Sequence, residues 1–322
     1  MRVRGMKECD VVVVGGGAAG LSAALVLVRA RRMVVAVDAG APRNAPAAHM
    51  HGFLSRDGMP PRELLAAGRA EVSGYGGRLI DDTVVVIEPG FHVRLASGGH
   101  LRTRRILVAT GLRDELPDIP GVRERWGRDL LHCPYCHGYE VRDQPLGVLG
   151  GAPEAVQHAL LVRQWSPDVT LFPHTDAVGP EQRDHLAARG IRIVDGTIAR
   201  LVVDNDQLQG VELDGGTVVP RTAVFVRPRF VPNADLLTGL GCAVDEHGWV
   251  VHDPVGRTSV AGVWVAGNAA DPRAQVISAA GEGSAAAIAL NADLVDEDVK
   301  RALTDHRAGH AASAPALPTS SF

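Results

Sequence analysis

The chain has 322 residues, 46% of them hydrophobic and 22% charged, which is the composition of a folded globular protein long enough for two domains. Aromatic residues make up only 4% and the formal net charge is −4, so we expect no nucleic-acid-binding surface and no basic face for an anionic membrane. Four cysteines are too few for a disulfide scaffold, so a hydrophobic core must stabilise the fold.

The uncharged stretch at residues 11–28 follows a basic start and has the outline of a signal peptide or a membrane span. Three consecutive glycines, Gly15 to Gly17, interrupt it where a spanning helix would be weakest. No later segment is long and apolar enough to span a bilayer. We therefore expect a cytoplasmic protein, whose thiols stay reduced unless they cycle.

Strand-like and helix-like segments alternate along the chain. The predicted order is strand 11–14, helix 18–30, strand 33–37, strands 83–87, 93–96 and 106–109, then strand 146–149, helix 150–164, strand 169–172, and finally strand 263–266 before helix 279–294. Strand–helix–strand units force parallel pairing. The sequence thus predicts an α/β protein with two Rossmann-like, three-layer nucleotide-binding domains.

Gly15, Gly17 and Gly20 form a G-x-G-x-x-G motif directly after the first predicted strand, and Asp38 ends the second one. Gly15 permits a tight turn, Gly17 lets a pyrophosphate approach the backbone, and Gly20 lets helix and strand pack closely. Asp38 can accept a hydrogen bond from a ribose 2′-hydroxyl and would repel a 2′-phosphate. The motif therefore favours FAD or NAD over NADP.

The segment His132-Cys133-Pro134-Tyr135-Cys136-His137-Gly138 carries the most reactive side chains of the sequence. A C-x-x-C pair can close a disulfide or supply two zinc ligands. Cys9 and Cys242 are isolated, and no second metal-type cluster accompanies the flanking histidines, so redox use is favoured over structural zinc or inert buried thiols. Pro134 suits the first turn of a helix, whose N-terminus lowers a cysteine pKa.

These motifs, with I-L-V-A-T-G at residues 106–111 and G-V-W-V-A-G-N at residues 262–268, resemble the low-molecular-weight thioredoxin reductases over residues 10–294. The resemblance implies FAD, a homodimer, Cys136 beside the flavin C4a atom and Cys133 facing the substrate. We predict a discontinuous FAD domain at 1–115 and 235–300, a second, NAD(P)-binding-like domain at 116–234 that carries the C-x-x-C, and a disordered tail at 301–322.

The expected cofactor-binding residues follow from the glycine loop and from the resemblance. They are Gly15, Gly16, Gly17, Ala18, Ala19, Gly20, Asp38, Ala39, Arg43, Asn44, His51, Gly52, Ala109, Thr110, Gly111, Gly267, Asn268, Gln275 and Val276. Asn268 stands where that family more often has Asp.

The chain departs from the reductase pattern in three places. His137 replaces the Asp that acts as an acid there, and a neutral imidazole can remove a thiol proton, although His137 could instead make only local hydrogen bonds. In the second glycine loop, Ala152 replaces the central glycine and Pro153 lacks an N–H. Residues 172–176 show neither the arginines that bind NADP nor a clean acidic strand end for NAD. Binding of NAD(P)H is therefore doubtful.

These departures, the C-x-x-C-H-G-Y-E string and the loop at residues 51–58 resemble the FAD-dependent dithiol oxidases. Those enzymes close disulfides in small natural products such as epidithiodiketopiperazines and dithiolopyrrolones and pass the electrons to oxygen. The leading hypothesis is thus a dithiol oxidase with Cys133, Cys136 and His137 as catalytic residues, no metal, a small dithiol and O₂ as substrates, and H₂O₂ as a product.

Two alternatives remain open. One is an NADPH-dependent reductase of a thioredoxin-like protein or of a small disulfide, which runs the same relay backwards. The other is a flavin-binding redox sensor whose C-x-x-C switches without turnover.

Overall fold

The computed structural model describes residues 7–312, whose two largest β-sheets are each built around a parallel strand–helix–strand unit. Up to residue 115 the elements are β1 (Lys7–Val14), α1 (Ala18–Arg29), β2 (Val34–Asp38), α2 (Pro61–Gly74), β3 (Arg78–Asp81), β4 (Val84–Glu88), β5 (His92–Leu95), β6 (His100–Val108) and β7 (Leu112–Glu115).

The next elements, up to residue 232, form the second sheet, the helices and strands that cover it, and a last strand that pairs with β7. They are α3 (Val122–Arg125), β8 (Leu130–Leu131), α4 (Pro134–His137), β9 (Leu146–Leu149), α5 (Pro153–Val162), β10 (Val169–Phe172), α6 (Pro180–Ala188), β11 (Arg192–Ile193), β12 (Ile198–Asp204), β13 (Gln207–Leu213), β14 (Val218–Pro220), β15 (Ala223–Val226) and β16 (Arg229–Pro232). The chain then forms α7 (Asp235–Gly239), β17 (Val263–Val265), a 3₁₀ turn (Gly267–Ala269) and α8 (Val276–Ala312). Both predicted strand–helix–strand units are confirmed.

The first sheet has the strand order β3-β2-β1-β6-β5-β4, with β17 added to β6. β1 runs parallel to both β2 and β6, and Val11 lies opposite Val34 on one side and Arg105 on the other. β6 pairs antiparallel with β5 at its start and parallel with β17 at its end. Strands from before residue 116 and after residue 232 thus share one sheet, while the domain boundaries themselves stay a prediction.

The valines of β1 are buried on both faces of this sheet. Val11 and Val13 pack toward α1 and α8 around Trp264, whereas Val12 and Val14 contact the residues that cover the opposite face. Each fully buried valine contributes roughly 1.5–3 kcal/mol relative to exposure. The glycine loop that follows β1 is therefore anchored to the rigid centre of the fold.

The second sheet, β11-β10-β9-β15-β8, is entirely parallel. Helices α5 and α6 cover one face, where Val156 and Leu186 are buried, and the antiparallel sheet β12-β13-β14 covers the other, where Val211 is buried. The carboxyl ends of parallel strands meet at one edge of a sheet. The C-x-x-C segment after β8 and the second glycine loop after β9 consequently lie on the same edge.

The chain crosses between the two sheets through β7 and β16, which pair antiparallel from Leu112 with Pro232 to Glu115 with Arg229. At the start of this pair the Thr110 hydroxyl donates to the Asn233 carbonyl at 2.8 Å, and Asn233 Nδ2 donates to the Thr110 carbonyl at 2.9 Å. The two crossings are thus held together at a single place.

The structure corrects the expected tail. Helix α8 continues to Ala312, so the prediction of disorder from residue 301 is wrong for residues 301–312, and residues 313–322 lie outside the described residues. Ion pairs to β6, including Arg105 Nε to Asp293 Oδ2 at 2.6 Å, fix the helix where it packs on the sheet. From there the helix continues through residues 301–308, whose side chains are exposed, because propagating a helix costs far less than nucleating one.

None of the helices within residues 7–312 is long and apolar enough to cross a membrane.

Candidate active site

A cavity of about 860 Å³ lies between the two sheets. Its wall runs from Gly15, at the carboxyl end of β1, to Cys133 and Cys136, which follow β8. This volume lies within the range of roughly 300–1,000 Å³ usual for cofactor and ligand pockets. The first glycine loop and the cysteine pair therefore face one common space.

The three glycines of the first loop have the backbone geometry expected from the sequence. Gly15 has φ +108°, and a β-carbon there would overlap the Ala109 carbonyl oxygen. A β-carbon at Gly20 would overlap the Gly15 carbonyl oxygen, whereas one at Gly17 would meet no protein atom within 4 Å. Gly17 also precedes α1 without a side-chain cap, so the helix N-terminus presents its N–H groups to open space. This is the arrangement that binds a pyrophosphate.

Asp38 lies beside this loop at the end of β2. Its Oδ1 accepts a hydrogen bond from the Gly16 N–H at 3.1 Å, and its Oδ2 is 3.3 Å from Arg69 Nη1. The carboxylate also lines the cavity, where it can accept from a ribose hydroxyl.

All but two of the predicted cofactor-binding residues line the cavity. Gly20 lies behind the loop, packed on Gly15, and the Gly52 N–H donates outside the wall to Asp57 Oδ1 at 2.8 Å. The predicted residues in the wall are Gly15, Gly16, Gly17, Ala18, Ala19, Asp38, Ala39, Arg43, Asn44, His51, Ala109, Thr110, Gly111, Gly267, Asn268, Gln275 and Val276.

Cys133 and Cys136 form a disulfide, as predicted, with their Cα atoms 5.2 Å apart. Cys133 precedes the single helical turn α4, Pro134 occupies its first position, and the N–H groups of Cys136 and His137 both donate to the Cys133 carbonyl at 3.1 Å. This turn brings the two side chains to the same side. Both cysteines are half-buried and line the cavity, so the disulfide is accessible from within it.

Gln275 lies directly against the disulfide. Its Nε2 is 3.9 Å from Cys133 Sγ and 4.0 Å from Cys136 Sγ, within the range of a hydrogen bond to sulfur. The sequence placed Gln275 among the cofactor-binding residues, and the structure adds this contact with both sulfur atoms.

His137 ends α4 and is half-buried in the same wall. Burial lowers the pKa of His137 below its ordinary value, an effect that the carboxylate of Glu140 opposes and that His51 reinforces. The imidazole is therefore neutral at pH 7, and a neutral imidazole beside a disulfide can accept the proton of an incoming thiol.

Two further histidines line the cavity next to each other, which the sequence did not predict. The rings of His132 and His158 are 5.8 Å apart, and His132 Nδ1 lies 3.2 Å from the Val226 carbonyl oxygen. Burial lowers the pKa of His158 to about 3, an effect that the backbone of His132 partly opposes. Neither ring nitrogen of His158 makes a hydrogen bond of good geometry. No motif marks His158, because it lies on α5 in an ordinary helical pattern.

Three comparisons place the chain among known proteins. The family model for pyridine nucleotide-disulphide oxidoreductases matches residues 9–284. The chain belongs to this family. The thioredoxin reductase sirT of Leptosphaeria maculans is 31% identical over 312 residues, which cover 90% of this chain and 95% of that protein. The predicted family and fold class are therefore confirmed, and the protein is a FAD-dependent disulfide oxidoreductase.

Two solved structures extend the match to the whole architecture. The crystal structure of HlmI is 61% identical, covers 95% of this chain and 97% of its own, and superposes with a TM-score of 0.91. An oxidoreductase from Agrobacterium tumefaciens is 35% identical, covers 90% of this chain and 99% of its own, and gives a TM-score of 0.84.

FAD is the cofactor that membership of the oxidoreductase family implies, and the cavity fits it. The open space at Gly17 admits a pyrophosphate, Asp38 can accept from the ribose, and Thr110, Gly111 and Asn268 continue the wall toward the disulfide. Asn268, which replaces the more usual Asp, directs its Nδ2 to the carbonyls of Asp271 and Ala274 at 2.9 and 3.0 Å. This side chain thereby fixes the loop that carries Gln275.

Arg43 lies at the centre of the cavity wall. Its guanidinium makes a bidentate ion pair with Asp114 at 2.7 and 2.8 Å and donates to Asn268 Oδ1 at 3.3 Å. It also stacks over Phe230, with Cζ 5.1 Å from the ring centroid. The predicted residue Arg43 thus links the loop after β2 to β7 and β16. Asp114 and Phe230 were missed, because neither belongs to a motif.

The second glycine loop also contacts a carboxylate. The sequence shows no clean acidic strand end after this loop, but Asp176 Oδ2 accepts from the Gly151 N–H at 2.9 Å. A turn in which Asp176 N donates to the Pro173 carbonyl and His174 has φ +61° folds the chain back after β10. Asp176 therefore reaches the loop from four residues beyond the strand end.

The remaining cysteines are buried away from the cavity. Burial raises the pKa of the Cys9 thiol to about 11 and also raises that of Cys242. Such thiols are mostly protonated at neutral pH and react slowly. Within residues 7–312, no cluster of three or more His, Cys, Asp or Glu side chains could hold a metal ion.

Proposed function

We propose that this oxidoreductase is a dithiol oxidase that closes a disulfide in a small dithiol and passes the electrons to oxygen. The observation that carries the proposal is the neutral, half-buried His137 next to the accessible disulfide. An imidazole there acts as a base toward an incoming thiol, whereas a disulfide reductase needs an acid at this step.

His137 takes the proton of the first substrate thiol, and the resulting thiolate attacks Cys133 Sγ. The Cys133–Cys136 bond breaks, Cys136 leaves as a thiolate, and a mixed disulfide joins the substrate to Cys133. The second substrate thiol, deprotonated in turn, attacks the substrate sulfur of that bond and releases Cys133. The product leaves as a disulfide, and the enzyme keeps two electrons as the Cys133 and Cys136 dithiol.

Bound FAD supplies the remaining chemistry, because it accepts two electrons from the dithiol and passes them to O₂, which becomes H₂O₂. The assignment of Cys136 to the flavin side and Cys133 to the substrate side remains part of this proposal. Gln275 Nε2 contacts both sulfurs and can stabilise the negative charge that develops on Cys136 when it leaves.

A second candidate is a nicotinamide-dependent reductase of a thioredoxin-like protein or of a small disulfide. Asp176 favours it, because its carboxylate accepts from an N–H of the second glycine loop just as the Asp38 carboxylate does at the first loop. In the same reading, the exposed Tyr135 and Tyr139 beside the disulfide would meet the partner.

We also propose a cytoplasmic location and a homodimer. The dimer is supported by helix α8, which exposes the apolar side chains of Ile288, Val295, Val299 and Leu303. These residues are seven, four and four positions apart and so lie on one face of the helix.

The test uses the purified, FAD-loaded protein in air with dithiothreitol as the probe. We expect one H₂O₂ for each dithiothreitol oxidised, and Cys136→Ser should lower turnover by about 1,000-fold or more, because the dithiol relay is lost. Cys242→Ser is the matched control and should keep full activity. Normal turnover by Cys136→Ser would overturn the scheme, and the absence of steady peroxide from the wild type would favour the redox sensor.

Anaerobic mixing separates the oxidase from the reductase. Dithiothreitol should bleach the flavin absorbance of the wild type rapidly, whereas NADH and NADPH should bleach it only slowly. Rapid bleaching by either nicotinamide nucleotide alone would assign the protein to the reductases instead.

A further inference from the structure

His51 stands between two carboxylates at the rim of the cavity. Its Nε2 lies 3.5 Å from Glu140 Oε1, and its Nδ1 lies 3.4 Å from Asp57 Oδ2. Asp57 Oδ1 in turn accepts from the Gly52 N–H at 2.8 Å, which fixes this carboxylate within its own loop. The loop at residues 49–59 thereby holds Glu140, which follows the C-x-x-C turn by four residues.

Glu140 is also the carboxylate that acts on His137, three residues earlier in the chain. Its charge raises the pKa of His137, while burial and His51 lower it. The Glu140 side chain is 44% exposed and that of His51 21% exposed, so the pair lies at the boundary between cavity and solvent. A base that is oriented and charge-balanced by a third group is a recurring arrangement in nucleophilic catalysis.

We propose that Glu140, held by His51, is a positioning residue that stabilises the protonated form of His137 during thiol–disulfide exchange. This inference rests on the proposed function, in which His137 takes the substrate proton. The proton passes from the substrate sulfur to the His137 ring, the carboxylate of Glu140 balances the new positive charge, and the proton later leaves to solvent at the exposed rim. No electron moves in this step, so no further reactant is needed.

His51 contributes by holding the carboxylate where His137 can use it. The side chains that act electrically on the His137 ring are Glu140 and His51, and Asp57 acts on His51 from behind. A free glutamate on the surface would be solvated and weakly coupled to the ring. Held by His51 beside the C-x-x-C turn that precedes it in the chain, it favours the imidazolium that forms only after proton transfer.

The test measures the exchange step alone, without relying on the final electron acceptor. FAD-loaded protein is mixed anaerobically with dithiothreitol between pH 5 and pH 9, and reduction of the Cys133–Cys136 disulfide is followed by quenching and alkylation. In Glu140→Gln we expect the rate at pH 7 to fall by about tenfold, less than the roughly 100-fold or more that the base itself contributes, and the acid limb to move to lower pH. The shift has this sign because removing the carboxylate lowers the pKa of His137.

The conservative variant and two controls separate positioning from folding. Glu140→Asp keeps the charge and should restore most of the rate and the wild-type limb. Glu246→Gln, an exposed change elsewhere, should match the wild type. In a His137→Gln background, Glu140→Gln should cause no further shift.

A loss of rate in Glu140→Gln with an unmoved acid limb would overturn the positioning role, as would wild-type behaviour of that variant. If the wild type exchanges thiols normally but produces no peroxide, the proposed oxidase function fails while the role of Glu140 stands.

Discussion

Asp176 accepts a hydrogen bond from the Gly151 N–H at 2.9 Å, just as Asp38 accepts one from the Gly16 N–H at 3.1 Å. A β-carbon at Gly151 would lie 2.7 Å from Asp176 Cβ, and one at Gly16 would lie 2.5 Å from the Asp38 carboxyl carbon. Both loops therefore hold a carboxylate through the same kind of backbone N–H contact. They differ in that Ala152 and Pro153 occupy the second loop, where a methyl group and a missing N–H oppose a pyrophosphate.

The carboxylate of Asp176 predicts that NADPH is the poorer of the two nicotinamide nucleotides. Because Asp176 is exposed, its repulsion of a 2′-phosphate is screened by solvent, and we expect NADPH to reduce the flavin about 10-fold more slowly than NADH at equal concentration. Anaerobic bleaching of the flavin absorbance measures both rates. Asp176→Asn should narrow the difference, and Asp184→Asn, on the exposed face of α6, should leave it unchanged. Faster bleaching by NADPH than by NADH in the wild type would contradict this assignment.

The contact between Gln275 and the disulfide predicts slower thiol exchange when the amide is removed. A hydrogen bond to a charged group contributes about 1.5–3 kcal/mol, so Gln275→Leu should slow reduction of Cys133–Cys136 by dithiothreitol by about 10- to 100-fold. Gln207→Leu, a change to an exposed glutamine on β13, is the matched control. The rate is measured anaerobically by quenched alkylation, and an unchanged rate in Gln275→Leu would show that the amide does not stabilise the leaving thiolate.

The sequence predicted the parts of the site that lie within motifs. The turn, open approach and close packing at Gly15, Gly17 and Gly20 follow from local backbone geometry, and Pro134 predicted the helical turn that joins Cys133 to Cys136. These features could be predicted because each depends on residues that are close together in the chain.

The contacts that the sequence did not predict are between distant segments. His51 meets Glu140 across 89 positions of the sequence, and Asp176 reaches Gly151 only because a turn folds the chain back. The helix through residues 301–312 was missed for another reason. The composition suggested disorder, but a helix already fixed by packing continues through alanine and arginine at little cost.

The buried His158 predicts a specific loss of stability in acid. Its pKa of about 3 in the folded protein lies below its usual value of 6.5, so the unfolded chain binds more protons between these two pH values. Stability is therefore fully present above pH 6.5 and falls as the pH drops toward 3. For this one group the free energy of unfolding should decrease by about 2 kcal/mol between pH 7 and pH 5.

Urea unfolding followed by circular dichroism at pH 7 and pH 5 measures this effect. His158→Leu should lose less stability than the wild type over that interval, by about the same 2 kcal/mol. His247→Gln, an exposed change, should behave as the wild type does. An equal pH dependence in His158→Leu and the wild type would show that this ring is not the group responsible.

The exposed apolar face of α8 predicts where the proposed homodimer forms. Ile288 is 62% exposed and Val299 is 52% exposed, although both are apolar and lie on the helix that packs against α1 and the first sheet. Burying a charge in such an interface without a partner costs several kcal/mol. Ile288→Glu should therefore convert the dimer to a monomer, which size-exclusion chromatography with light scattering would show. The control Val218→Glu, on β14 of the three-stranded sheet, should remain dimeric. A desolvated, unpaired glutamate in this interface would raise the dissociation constant of the dimer by at least about 100-fold. A dimer that tolerates Ile288→Glu at micromolar concentration would therefore place the interface on another surface.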